Sequence, residues 1–212
     1  MPSVADDVAI EDYVVAPDAS VADLDLSDYA NLWWQWAYST PPDQGAVTDT
    51  SGARCDVNQD GPVWFLAGGF GTSKIERTCT IPAGKHVFFP VINMIVYPSN
   101  DGDIDCDSAK ANAAANNSRY VFIRVNLDGS ELKDAERFRI ASTDCFDLLG
   151  KVPPEYGAPQ VFPSATDGYW IMLKALPPGN HHLEFKAAYT NPDESYGGMV
   201  QNISYDLRVL SE

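Results

Sequence analysis

The run Asp56-Val57-Asn58-Gln59-Asp60-Gly61 sets oxygen donors at alternate positions ahead of a glycine, as in the first half of an EF-hand-type calcium loop. The second half departs from that pattern, because Ala67 stands where the bidentate glutamate would be. A disulfide at the adjacent Cys55 would hold such a loop open for remote ligands, yet Asn, Asp and Gly are also ordinary turn residues. A second acidic run places Asp101, Asp103, Asp105 and Asp107 on alternate residues around Cys106. On an extended loop they would share one side and repel unless solvent or a cation screened them. A solvated loop is the simpler reading, and a second calcium site is the alternative. Calcium is the cofactor these residues point to.

The chain has three histidines. His181 and His182 are adjacent in an expected strand and point to opposite faces, so His182 shares a face with Glu184. That pair is a two-ligand fragment for zinc or copper, which would need His86 or a remote carboxylate to complete it. Exposed strand positions explain each histidine equally well. No G-x-S-x-G nucleophile elbow is present. With 30 acidic residues, no carboxylate pair singles itself out for glycoside chemistry.

Aromatic residues offer binding rather than bond-making. Leu26, Tyr29, Ala30, Trp33, Trp36 and Ala37 recur at helical spacing, which predicts a helix from about Ser27 to Ser39, with Ser27 as its cap and Pro41-Pro42 ending it. Trp33 and Trp36 are its core anchors. Trp34 and Tyr38 fall off that stripe and could project outward as a stacking pair, although packing uses the same residues. Phe70, inside the flexible segment Gly68-Gly69-Phe70-Gly71, is the third candidate for a ligand surface.

The even cysteine count, Cys55, Cys79, Cys106 and Cys145 with no Cys-x-x-Cys, reads as two disulfides and an oxidising compartment. Of the three possible pairings, Cys55–Cys79 with Cys106–Cys145 is favoured, because each pair flanks a compact block of strand and turn. The segment Met1 to Asp7 has neither a basic region nor an apolar stretch, so a removed export signal is expected. The net charge of −16 repels nucleic acid and anionic lipid. It leaves neutral small ligands, glycans and proteins as partners. No apolar run reaches the ~20 residues needed to span a bilayer as a helix.

The elements that must position these groups are mostly strands. Residues 1–24 read as a flexible acidic leader. Residues 25–212 read as one mostly β domain, an antiparallel sandwich of Ig-like or jelly-roll type with the Trp-rich helix and a second short helix over Ser108 to Asn116. Val121 to Leu127 alternates, ends in the turn pair Asp128-Gly129, and is expected to pair with Glu136 to Ala141.

The string Gly61-Pro62-Val63-Trp64-Phe65-Leu66-Ala67-Gly68 precedes Cys79-Thr80-Ile81-Pro82-Ala83-Gly84-Lys85 and Phe88-Phe89-Pro90-Val91-Ile92-Asn93. With Asp167-Gly168-Tyr169-Trp170, Met172-Leu173 and the Trp33-Trp34-Gln35-Trp36 helix, the chain resembles, over roughly residues 27–209, a family of exported bacterial proteins to which no activity attaches. The resemblance implies export and a single β-rich domain. The reading that results is a secreted or periplasmic, non-catalytic binding protein. An exported hydrolase or metal-dependent enzyme, and a structural subunit or inhibitor with exposed edge strands, are the alternatives.

Overall fold

A computed structural model describes residues 9–70, 74–99, 103–119, 121–190 and 198–211. Its elements in chain order are α1 (Ile10–Tyr13), β1 (Ser20–Val21), β2 (Leu24–Asp25), α2 (Leu26–Ala37), β3 (Val63–Phe65), β4 (Ile75–Ile81), β5 (His86–Val96), α3 (Cys106–Ala114), β6 (Val121–Leu127), β7 (Ser130–Glu131), β8 (Arg139–Ala141), β9 (Ala165–Leu173), β10 (Gly179–Tyr189) and β11 (Val200–Val209). A five-stranded sheet, β4-β11-β10-β6-β7, faces a four-stranded sheet, β3-β5-β9-β8. The mostly β sandwich and its Trp-rich helix are present. The edge pairs β4–β11 and β3–β5 run parallel and the other pairings antiparallel, because the chain crosses between sheets at β3, β4 and β5.

Two cores follow from strand alternation. Tyr169, Ile171 and Leu173 of β9 join Phe89, Phe185 and Tyr205 between the sheets. Trp170 and Met172 turn the other way, onto Phe88 and the tryptophans of α2. With both faces covered, every residue of β9 is buried. The ring of Trp170 stacks on Phe88 at 5.4 Å and meets Trp33 edge-on at 5.5 Å.

Several expectations are corrected. From Ile10 onward the supposed leader is packed: Ile10 is fully buried, Val14 bridges Leu173, and Val15 N–H donates to Met172 O at 2.8 Å. Its apolar residues close the end of the sandwich, which outweighs the acidic composition; residues 1–8 lie outside the described residues. Helix α2 begins one residue before Ser27. Asp25 is the cap, and its N–H donates to the Asp28 carboxylate in a capping box. Residues 136–141 do not pair with β6; β7 does, through the Asp128-Gly129 turn, while β8 pairs with β9 in the other sheet. Both turn residues have positive φ, 52° and 87°, and so spend the turn in two residues.

The cysteines pair Cys55–Cys79 and Cys106–Cys145. The first bridge ties the loop before β3 to edge strand β4. The second ties the start of α3 to the segment after β8. Two disulfides point to an oxidising compartment. Among the described residues, no helix is long and apolar enough to cross a membrane.

Candidate functional site

Three indole N–H groups fix α2 on the sheet. Trp33 Nε1 donates to Leu66 O at 2.9 Å, Trp34 Nε1 to Thr166 Oγ1 at 2.8 Å, and Trp36 Nε1 to Val57 O at 2.8 Å. Trp34 is therefore a buried anchor, 6% exposed, and not an outward platform. Its ring still forms a wall. Trp34, Tyr38 and Phe70 line one cavity of about 400 Å³ together with Asn93, Ile95, Tyr97 and Met199. The rings of Trp34 and Tyr38 lie 6.1 Å apart. All three ligand-surface candidates thus converge on one place.

The loop presenting Phe70 is held, not free. Tyr205 Oη donates to Ala67 O at 2.8 Å and accepts from Ala67 N at 3.0 Å. Gln201 clamps the next turn: Gly69 N–H donates to its Oε1 at 3.0 Å, and its Nε2 donates to Gly69 O at 2.6 Å. The flexibility expected of Gly68 and Gly69 is replaced by this clamp on β11; Gly71 lies outside the described residues. Phe70 beyond the clamp is 66% exposed.

The cavity floor is β5. Asn93 pairs with Gly168 across the β5–β9 ladder, and their shared face is the one that carries Trp170 and α2. A Cβ on Gly168 would stand 2.6 Å from the Asn93 backbone, so only glycine permits this approach. Asn93 is 8% exposed, yet its Nδ2 has no hydrogen-bond partner. A buried amide donor without a partner costs stability, and Asn93 is the one lining residue of this cavity, among the described residues, whose side chain holds such an atom. On the opposite face of the same strands, the buried Asp167 carboxylate takes Arg139 Nε and Nη2, each at 3.0 Å. Burial pushes the Asp167 carboxyl up, and the guanidinium opposes that shift.

Several of the residues expected to hold metal have other partners. Asn58 Nδ2 donates to Ser39 Oγ at 2.9 Å, and Asp60 faces Lys151 Nζ at 3.3 Å. Asp105 is the N-cap of α3, accepting from Ser108 N at 2.7 Å, and that bond holds its carboxyl below the ordinary value. Asp103 is exposed, and Asp101 lies outside the described residues. His182 Nδ1 meets Asp206 Oδ1 at 2.7 Å; Glu184 shares its face, while His86 opens β5 in the other sheet. Among the described residues, no three of His, Cys, Asp or Glu form a group that could hold a metal ion.

A row across three strands, Thr78 on β4, Asp206 on β11 and His182 on β10, has the residue types of a nucleophile triad. Its order is wrong for that chemistry. Asp206 lies between the hydroxyl and the imidazole, so the ring that would take the Thr78 proton is not beside it. His181, on the inner face, places Nδ1 2.6 Å from Asp128 Oδ2 and Nε2 2.9 Å from Pro177 O, which ties the two turns together.

The sequence signal for the missed floor was Asn93 itself, a polar residue inside the otherwise apolar run Val87 to Val96. Gln201 and Tyr205 gave no sequence signal, because their role depends on the parallel β4–β11 edge. The chain matches no family model, no curated protein and no solved structure.

Proposed function

We propose that this protein is an exported, non-catalytic binding protein that takes a neutral ligand into the aromatic cavity beside α2. The observation that carries this reading is the meeting of Trp34, Tyr38 and Phe70 over the unpartnered amide of Asn93. A mostly apolar concavity with a few convergent polar groups is the usual form of a small-ligand site. Secretion or a periplasmic address is supported by the two disulfides.

The test is a thermal-shift screen of the full chain against neutral small molecules and glycans, repeated with Phe70→Ala. Phe70 is mostly exposed, so the variant is expected to fold. A ligand of this site raises the melting temperature of the wild type and loses most of that effect in the variant. A ligand whose shift survives unchanged in Phe70→Ala binds elsewhere and overturns the reading.

A further inference from the structure

A second cavity of about 240 Å³ adjoins the first, lined by Ala37, Thr40, Pro42 and Val47, and it shares Tyr38 and Phe70 with the larger one. The two side chains therefore stand between two adjacent lobes. Among the described lining residues of either lobe, none is charged. Against these described residues an ionised ligand would leave water without gaining a counter-charge, and the overall charge of −16 further opposes an anion.

Polar partners are scarce in the larger lobe as well. Ser99 and Tyr38 already hold interactions, and Tyr97 sits 41% exposed at the rim. The buried, unpartnered donor is Asn93 Nδ2. A sugar ring brings several hydroxyls, each costing free energy when buried unpaired, so a glycan matches this inventory poorly. Met94 and Met199 in the wall suit a flexible apolar chain, because thioether side chains adapt to irregular shapes.

Resting on the reading of the cavity as a ligand site, we propose that the ligand class is an elongated, uncharged acyl or aryl chain bearing one acceptor oxygen. Its carbonyl or ester oxygen accepts from Asn93 Nδ2 in the larger lobe. Its apolar chain passes between Tyr38 and Phe70 into the smaller one.

The experiment is fluorescence competition on the full chain, with phenylnaphthylamine as reporter. Methyl decanoate, decanoate anion and cellohexaose serve as competitors. Methyl decanoate is expected to displace the reporter, with the anion weaker by about tenfold or more and the hexasaccharide inactive. Phe70→Ala should weaken the ester by about tenfold, the loss of one aromatic contact with the ligand. Asn93→Leu should weaken the ester by about fivefold, the loss of one hydrogen bond, and by more than it weakens the reporter, which carries no acceptor oxygen. Displacement by cellohexaose but not by the ester overturns this inference and leaves the cavity standing as a ligand site. Equal ester affinity in wild type and Asn93→Leu overturns the acceptor assignment. Reporter and ester binding that both ignore Phe70→Ala overturns the cavity reading along with the inference.

Discussion

The guanidinium of Arg77 lies 5.4 Å from the ring centroid of Tyr205 and donates from Nη1 to its hydroxyl at 3.1 Å. The same group donates to three carbonyls, Val47 O at 3.2 Å, Asp49 O at 2.7 Å and Ala67 O at 2.9 Å. Arg77 is only 3% exposed and makes no carboxylate ion pair among the described residues. Backbone oxygens and an aromatic face balance its charge, and the loop over the β4 edge is tied down in the process. Arg77→Met should cost about 3 kcal/mol or more, since several buried carbonyls lose their donor at once. Tyr205→Phe should cost about 1–2 kcal/mol. Urea unfolding of both variants checks the order, and a near-neutral Arg77→Met would mean that water replaces the guanidinium.

The bridges should contribute unequally. On the chain-entropy model, closing the loops of Cys55–Cys79 and Cys106–Cys145, with sequence separations of 24 and 39, stabilises the fold by about 3.5 and 4 kcal/mol. Replacing each pair by serines and comparing melting temperatures tests this. Non-reducing peptide mapping should return these two pairs and no other.

How much of this was readable beforehand depended on range. Alternation in Val121 to Leu127, the Asp128-Gly129 turn and the tryptophan stripe are local signals, and each gave its element. The pairing partner of residues 136–141 is not local: β8 joins β9 because the sandwich needs a strand at that edge, and no periodicity encodes that choice. Trp34 misled for a similar reason. It lies off the stripe of a helix packed on one side, but its indole N–H reaches the Thr166 hydroxyl of β9 and the ring is buried there. Spacing showed the donors of the acidic runs and hid the partners that some of them hold, Ser39 for Asn58, Lys151 for Asp60 and the N-terminus of α3 for Asp105.

Calcium added to EDTA-treated protein should therefore leave the melting temperature where it was. Asn58 and Asp60 already face Ser39 and Lys151, and Asp105 caps α3. A rise of several degrees specific to calcium would mean that the ion rebuilds the Asp56–Asp60 loop, and it would return the acidic residues to the centre of the function.

His86 supplies a pH dependence. Partial burial at the start of β5 holds its imidazole below the ordinary value of 6.5. The unfolded chain then binds the proton more readily than the folded one. Its contribution to stability is intact above 6.5 and is lost as pH falls toward the folded value. The wild type should lose more stability than His86→Gln between neutral pH and about pH 5, near and below the ordinary histidine range. Titration of the ring by NMR gives the folded value directly, and a midpoint at or above 6.5 would contradict the burial argument.

Gly168 links the fold to the cavity. Its missing side chain lets β9 approach β5 at Asn93, and any Cβ there would meet Asn93 Cα, Asn93 Cβ and Ile92 O, each at 2.6 Å. These are backbone and near-backbone atoms, which cannot swing aside as the end of a long side chain can. Gly168→Ala should therefore force the two strands apart and cost about 2 kcal/mol or more, in the range of other overpacked sites. The separation falls under the amide that forms the cavity floor. Ligand affinity should fall along with stability in Gly168→Ala, whereas Phe70→Ala should lower affinity alone. Measuring both quantities for both variants separates the floor of the cavity from its rim. Unchanged affinity in a destabilised Gly168→Ala would place the ligand away from Asn93.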